Sequence, residues 1–285
     1  MAVQSKVAIA TNLAQLHAAL DPWRKGGSTI ALVPTMGALH DGHLALVRQA
    51  GASADKVVVS IFVNPAQFAP HEDFGRYPRA LETDKEKLEG TGAVQLVYAP
   101  DVREMYPDGF ATKVSLDGPA SGLETAFRPH FFTGVATVVT KLFTQCRPDF
   151  AVFGEKDYQQ LLVVRRLSRD LDLGVDVIGL PTVREPDGLA LSSRNAYLST
   201  DQRKIAAHLN RVLLSVGERG RTGIPVAQAE AEGAAALINA GFDRVDYVAI
   251  RDAETFAQLR TIEHPARVLA AARIGAIRLI DNRPI

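Results

Sequence analysis

Residues 56–63, Lys-Val-Val-Val-Ser-Ile-Phe-Val, form a β-branched apolar run without polar alternation. A strand with one wet face alternates apolar and polar side chains. An unbroken apolar run suits a strand covered on both faces, as in a parallel sheet flanked by helices. Residues 28–33, 94–98, 149–153 and 175–180 read as further short strands. Between them, residues 43–52, 78–89, 133–145 and 157–171 carry helical spacing. Of these, 78–89 reads as a charged surface helix and 133–145 as a core helix, and 157–171 is expected to turn Leu161, Val164 and Leu171 inward. Strand–helix alternation predicts an α/β fold, a Rossmann-like doubly wound parallel sheet with right-handed crossovers.

The pattern changes after Pro181. A Gly/Pro/Asp loop at 184–188 leads to Leu191-Ser-Ser-Arg-Asn195, followed by Ala-rich helices near 201–219 and 225–240 and short strands at 245–250, 267–272 and 277–280. This order predicts a smaller α+β domain, with boundaries of 1–181 and 182–285, and clefts between domains commonly bind ligands. A chain of 285 residues with 47% hydrophobic content supports that much core. Lys+Arg and Asp+Glu both number 32, so no global field draws it to nucleic acid or an anionic membrane. No run of about 18 apolar residues predicts a membrane span, and residues 1–10 lack the features of a signal peptide. The single cysteine, Cys146, forms no internal disulfide, which suits a cytoplasmic setting.

In an open parallel sheet, ligands gather beyond the carboxyl ends of the strands. Three segments fall on that rim. The first strand runs into Pro34-Thr-Met-Gly-Ala-Leu-His-Asp-Gly-His43, a glycine-broken turn that opens a helix with His40 and His43 three residues apart. The second runs into Asn64-Pro-Ala-Gln67, and the strand ending near Phe153 runs into Gly154-Glu-Lys-Asp157. A helix N-terminus attracts phosphate through unpaired N–H groups and its dipole, and imidazoles there add hydrogen bonds to developing charge. The two histidines fit plain helix capping equally well, and no third ligand has metal-site spacing. Lys156 is placed to pair with phosphate oxygens and Asp157 to cap the next helix; a solvated lysine is the other reading. Neutral amides at Asn64, Gln67 and Gln160 suit a small hydroxylated substrate, or simply loop and surface hydrogen bonding. Ser192, Ser193 and Arg194 make an anion clamp or an N-cap pair. Residues 68–79, rich in aromatic and charged side chains, read as a lid or a packed surface loop.

These segments, with Phe62-Val-Asn-Pro-Ala-Gln-Phe68, Phe153-Gly-Glu-Lys-Asp-Tyr-Gln-Gln160, Leu189-Ala-Leu-Ser-Ser-Arg-Asn195 and Arg278-Leu-Ile-Asp-Asn282, closely resemble the pantoate–β-alanine ligase family over essentially the whole chain. The His-x-x-His and Ser-Ser-Arg elements also resemble signatures of class I aminoacyl-tRNA synthetases and related nucleotidyltransferases. The resemblance implies a ligase that activates (R)-pantoate with ATP as pantoyl adenylate, then transfers it to β-alanine. It implies an ATP site from Met36, Gly37, Ala38, Leu39, His40, Asp41, Gly42 and His43, from Gly154, Glu155, Lys156 and Asp157, and from Val183, Leu191, Ser192, Ser193 and Arg194. His43, His40 and Lys156 would be catalytic, and Gln67, Gln160 and Asn64 would bind substrate. Mg²⁺ would be held mainly by ATP phosphates, with no protein metal cage, and the chain would form a homodimer. A nucleotidyltransferase that keeps the nucleotide on its product, or a non-catalytic nucleotide sensor, are the alternatives. One departure stands out. The family usually has Arg-Pro-Gly-His-Phe, whereas this chain has Arg128-Pro-His-Phe-Phe132, with His130 and Phe131 at the usual glycine and histidine positions.

Overall fold

The computed structural model describes residues 6–68 and 73–285, and the chain divides into two compact units. One comprises Met1–Glu155 with Val163–Pro181, and the other Lys156–Leu162 with Thr182–Ile285. Residues 69–72 of the segment expected to act as a lid, and residues 1–5, lie outside the described residues.

In the first unit the chain runs through β1 (Ala8–Ala10), α1 (Leu13–Lys25), β2 (Ile30–Thr35), α2 (Asp41–Ser53), β3 (Lys56–Ile61), α3 (Leu81–Glu89) and β4 (Leu96–Tyr98). It continues through the short α4 (Val102–Met105) and α5 (Glu124–Phe127), then α6 (Phe131–Cys146), β5 (Phe150–Gly154), α7 (Tyr158–Asp170), which begins in the other unit, and β6 (Asp176–Leu180). The six strands form one parallel sheet in the order β1-β4-β3-β2-β5-β6. Val57, Val58, Val59 and Ser60 are all buried, so β3 is covered on both faces as its apolar run requires. Ala31 and Val33 of β2 share a cluster with Leu46, Val47 and Ala50 of α2, and α6 also packs on β2. Strand order reverses at β2, which has β3 on one side and β5 on the other. The carboxyl ends of β2 and β5 therefore flank a topological switch point, where open α/β sheets bind ligands.

Some local expectations change. Strand β1 and helix α1 arise in a stretch to which the sequence reading assigned no element. Asn12 caps α1 by accepting from the Gln15 N–H, Leu16 and Leu20 are buried, and the helix tolerates the internal Pro22. Helix α3 is not wholly a surface helix, because Asp84 and Leu88 are buried. Leu171, expected to face inward, is exposed because α7 has already ended at Asp170, while Leu161 and Val164 are buried.

The second unit holds α8 (Thr200–Ala206), α9 (His208–Arg221), α10 (Val226–Asn239), and the antiparallel sheet β7 (Arg244–Asp252), β8 (Ala266–Ile274), β9 (Ile277–Pro284) in that order. The expected helix at 201–219 is two helices that meet at Ala207. Leu209, Leu213 and Val216 of α9 and Ala229 and Leu237 of α10 bury themselves against Val248, Ile250, Val268 and Ala270 of the sheet. Apolar spacing at 3.6 on the helices meets a two-residue period on the strands, and that match closes the core.

Candidate active site

In the turn after β2 the backbone N–H groups of residues 37–40 all meet acceptors within the protein. Gly37 has φ 82° and Ala38 φ 52°, so both sit in the left-handed region, where a β-carbon is strained. A Cβ on Gly37 would lie 3.1 Å from Asp84 Oδ2 and 3.2 Å from Ile61 Cγ2, which adds a packing reason for glycine. The Asp84 carboxylate secures the turn, accepting from Ala38 N–H and Leu39 N–H at 2.8 Å each. Lys87, one turn further along α3, donates to the Leu39 carbonyl at 2.6 Å. Sequence reading passed over Asp84. Its signal, an acidic residue early in a helix of mostly polar residues, is common to many surface helices.

His40 and His43 follow at the start of α2. His40 is the N-cap, with its Nδ1 accepting from the Gly42 N–H at 3.2 Å, and His43 Nδ1 accepts from the His40 N–H at 3.3 Å. Backbone N–H groups only donate, so both Nδ1 atoms are acceptors and the ring proton of each neutral imidazole resides on Nε2. The rings lie 4.1 Å apart, centroid to centroid. The helix end is therefore capped and also lined with Nε2–H donors, and the capping and phosphate-facing readings of the pair are compatible. Asp41 and Gly42 form the first turn of α2.

Asn64 and Gln67 hold a second corner of this unit. Asn64 is 1% exposed and caps the 3-10 turn Pro65–Gln67. Its Oδ1 accepts from Ala66 N–H at 3.2 Å and from the Tyr106 hydroxyl at 2.7 Å, and its Nδ2 donates to the Gly134 carbonyl at 3.1 Å and to Gln67 Oε1 at 3.2 Å. A primary amide has two donor and two acceptor positions, so Asn64 is saturated by protein. Asn64 thereby orients Gln67. With Oε1 committed to Asn64, Gln67 turns its Nε2 donor towards Met36 Sδ at 3.0 Å. Arg128 Nη2 donates to the Gln67 carbonyl at 3.0 Å, while its guanidinium lies 3.8 Å over the Phe131 ring. Phe131, at the family's usual histidine position, thus supports the arginine that fixes Gln67. His130 sits at the N-cap of α6 without a side-chain capping bond, and its Nε2 is buried without a hydrogen-bond partner among the described residues. Burial pushes the Tyr106 hydroxyl up to about 12, keeping it a neutral donor to Asn64.

Gly154 and Glu155 close β5 in the first unit. Lys156, Asp157 and Gln160 group with the second. Lys156 Nζ lies 3.6 Å from Asp157 Oδ2, and Gln160 is half-buried in the first turn of α7. In that second unit Leu191 N–H donates to the Val183 carbonyl at 3.0 Å, and Ser192 Oγ accepts from Arg194 N–H at 3.3 Å to start the turn Ser193–Tyr197. The capping role read for the serines is present at Ser192, which engages the Arg194 backbone N–H.

The sequence model for the pantoate-beta-alanine ligase family matches residues 8–284. Over 277 residues the chain is 59% identical to the pantothenate synthetase of Nitrobacter hamburgensis, covering 96% of this chain and 97% of that one. It is 53% identical over 280 residues to the pantothenate synthetase of Paramagnetospirillum magneticum, covering 98% of each. Among solved structures, the pantothenate synthetase of Thermus thermophilus superposes with a TM-score of 0.91 at 50% identity, covering 97% of this chain and 99% of that one. The pantoate-beta-alanine ligase of Francisella tularensis, complexed with beta-gamma ATP and beta-alanine, gives a TM-score of 0.82 at 33% identity, covering 97% of each chain.

Proposed function

The chain belongs to the pantoate–β-alanine ligase family, and from that premise we propose that it condenses (R)-pantoate with β-alanine through a pantoyl adenylate, using the residues described above. The observation that supports the residue assignment is the arrangement at the β2 switch point. There, a backbone turn held by Asp84 precedes two imidazoles whose acceptor nitrogens are already occupied by the helix N-terminus.

In the first half-reaction a pantoate carboxylate oxygen attacks the α-phosphorus of ATP. The bond from that phosphorus to the oxygen bridging the α- and β-phosphates breaks, and pyrophosphate leaves with the electron pair. No proton transfer is needed, so alignment and charge stabilisation supply the rate. The Nε2–H groups of His40 and His43 and the N-terminus of α2 meet the phosphate charge. Lys156 and Arg194 are assigned cationic contacts to ATP, and Gly154, Glu155, Asp157, Val183, Leu191, Ser192 and Ser193 further nucleotide contacts. Gln67 holds an acceptor oxygen of pantoate through its amide donor, and Gln160 assists. In the second half-reaction the β-alanine amine attacks the acyl carbon, AMP departs with the carbon–oxygen bonding pair, and the amine loses a proton.

Mg²⁺ would accompany ATP, held mainly by the phosphates and water, and would supply charge neutralisation. The reading also carries a cytoplasmic homodimer. No described helix is long and apolar enough to cross a membrane.

The test is a pair of product measurements. Pyrophosphate release should require pantoate, and AMP release should require β-alanine in addition. Lys156→Ala should lower the pantoate-dependent release by roughly 100-fold or more, by loss of a charged transition-state contact. Pyrophosphate release independent of pantoate, or undiminished in Lys156→Ala, would refute the assignment.

A further inference from the structure

The terminal motif Arg278-Leu-Ile-Asp-Asn282 has no part in the chemistry above, yet Asp281 and Asn282 are 2% and 3% exposed and sit on β9 among charged groups. Arg184, next to Val183, grips Asp281 in a bidentate pair, with Nη1 to Oδ2 at 2.7 Å and Nη2 to Oδ1 at 2.8 Å. The same guanidinium donates to the Gly188 carbonyl at 2.9 Å and to the Asn282 carbonyl at 3.0 Å. Those bonds fasten the base of the loop that ends in Ser192-Ser-Arg194, whose own cross-bonds run Glu185 N–H to Leu189 carbonyl at 2.9 Å and Leu191 N–H to Val183 carbonyl at 3.0 Å.

The neighbouring Asn282 reaches a different segment. Its Nδ2 donates to the backbone carbonyl of Lys156 at 2.8 Å, and its Oδ1 accepts from Arg267 Nη1 at 2.9 Å. A carbonyl only accepts and a guanidinium only donates, so the amide has one permitted orientation. Arg267 is itself fixed by stacking 3.7 Å over the Tyr158 ring, whose hydroxyl donates to the Ala253 carbonyl at 2.7 Å. The Asn282 N–H donates to Asp281 Oδ1 at 2.7 Å, which joins the two anchors.

We propose that Asp281 and Asn282 are positioning residues for nucleotide activation: one dipeptide of β9 sets the backbone under Lys156 and the base of the Val183-to-Arg194 loop together. The inference rests on the reading that Lys156 and Arg194 meet ATP. Its physical content is shared registration. Two cationic groups from segments distant in sequence must meet one set of phosphates, and a common rigid strand fixes their separation before the nucleotide arrives.

Asn282→Asp isolates the effect. The aspartate has the same size and still accepts from Arg267, but an ionised carboxylate has no proton to donate to the Lys156 carbonyl. Full-length wild type, Asn282→Asp, Asn282→Ala and Lys156→Ala are compared in two assays and by thermal melting. The first assay is pantoate-dependent pyrophosphate release. The second is AMP release from supplied pantoyl adenylate and β-alanine. For Asn282→Asp the expectation is a fall of about tenfold or more in kcat for pyrophosphate release. The KM for pantoate and the rate from supplied adenylate should stay near wild type, with a fold intact by melting. Wild-type pyrophosphate release in both Asn282 variants, beside an impaired Lys156→Ala, would overturn the proposal. So would an equal fall in both half-reactions with a collapsed melting transition, the pattern of plain structural damage. A Lys156→Ala enzyme at full rate would instead overturn the reading of Lys156 on which the proposal stands.

Discussion

Gly134→Ala probes how Gln67 is held. Gly134 lies in the first turns of α6, where alanine is ordinarily better than glycine by about 1 kcal/mol. Here the helix presses on the 3-10 turn that carries Gln67. A Cβ at Gly134 would fall 2.6 Å from the Ala66 carbonyl carbon and 2.8 Å from the Gln67 nitrogen, with the Ala66 oxygen nearer still. Comfortable carbon–carbon contact begins at about 3.5 Å, so the turn must retreat by about 1 Å. The obstructing atoms are backbone, so rotating a side chain does not relieve the clash. The retreat strains the Asn64 bonds to the Gly134 carbonyl and Gln67 Oε1 and the Arg128 bond to the Gln67 carbonyl. Overpacking costs about 1–3 kcal/mol, and the helix preference returns about 1, leaving a net loss of at most about 2 kcal/mol. That is a drop of several degrees in Tm for a chain of this size, not unfolding. Displacing the amide proposed to orient pantoate by about 1 Å costs roughly 100-fold in rate. Steady-state pyrophosphate release, with pantoate and ATP varied in turn, should show kcat/KM for pantoate down by about that factor. The KM for ATP should remain within about twofold, because the Gly37-to-His43 cradle is anchored separately through Asp84. Unaltered pantoate kinetics, or matched losses for both substrates, would refute the reasoning.

Asp84→Asn should act on the nucleotide side. The amide offers one oxygen where the carboxylate offers two, so either Ala38 N–H or Leu39 N–H loses its acceptor and faces an NH₂ donor. A loss of about 1.5–3 kcal/mol for a charged hydrogen bond predicts a lower Tm and a KM for ATP raised about tenfold; an unchanged KM would remove Asp84 from the cradle. In alkaline solution the fold should weaken above about pH 9. Burial pushes the Cys146 thiol from 9.0 up to about 12, with Arg24 pulling the other way, and raises Tyr106 from 10.0 to about 12. Between those limits the unfolded chain binds fewer protons than the native one. Stability present below pH 9 is therefore lost as pH rises, at about 1.4 kcal/mol per pH unit from the thiol alone. Denaturant melts at pH 8 and 10 measure this. Iodoacetamide at pH 8 should label Cys146 only after unfolding, and rapid labelling of the native protein would contradict its burial.

The family's departure at His130 and Phe131 shows the limit of a motif read alone. A histidine missing from its usual place looks like a lost polar group. In the structure Phe131 carries the stacked Arg128, which in turn holds the Gln67 carbonyl. A linear pattern records which residue stands at a position and is silent about what that residue leans on.

The parallel sheet and its rim were legible in the chain because they follow from local regularities. The run at 56–63 can be buried only between two layers, and the strand–glycine–helix junction at 33–43 fixes where a helix N-terminus opens at the sheet rim. The chemistry proposed for His40, His43, Lys156, Gln67 and Arg194 is likewise read from residue type and position. The supports of those residues were not legible, since each is a pairing between distant segments: Asp84 with the 38–39 turn, Gly134 with the 65–67 turn, Asn282 with the Lys156 carbonyl. Spacing along one helix or strand specifies which face is apolar, but not which remote backbone group a buried carboxylate or amide will meet. The fold alone selects those partners, because burial leaves each polar atom only the neighbours that packing brings within bonding distance.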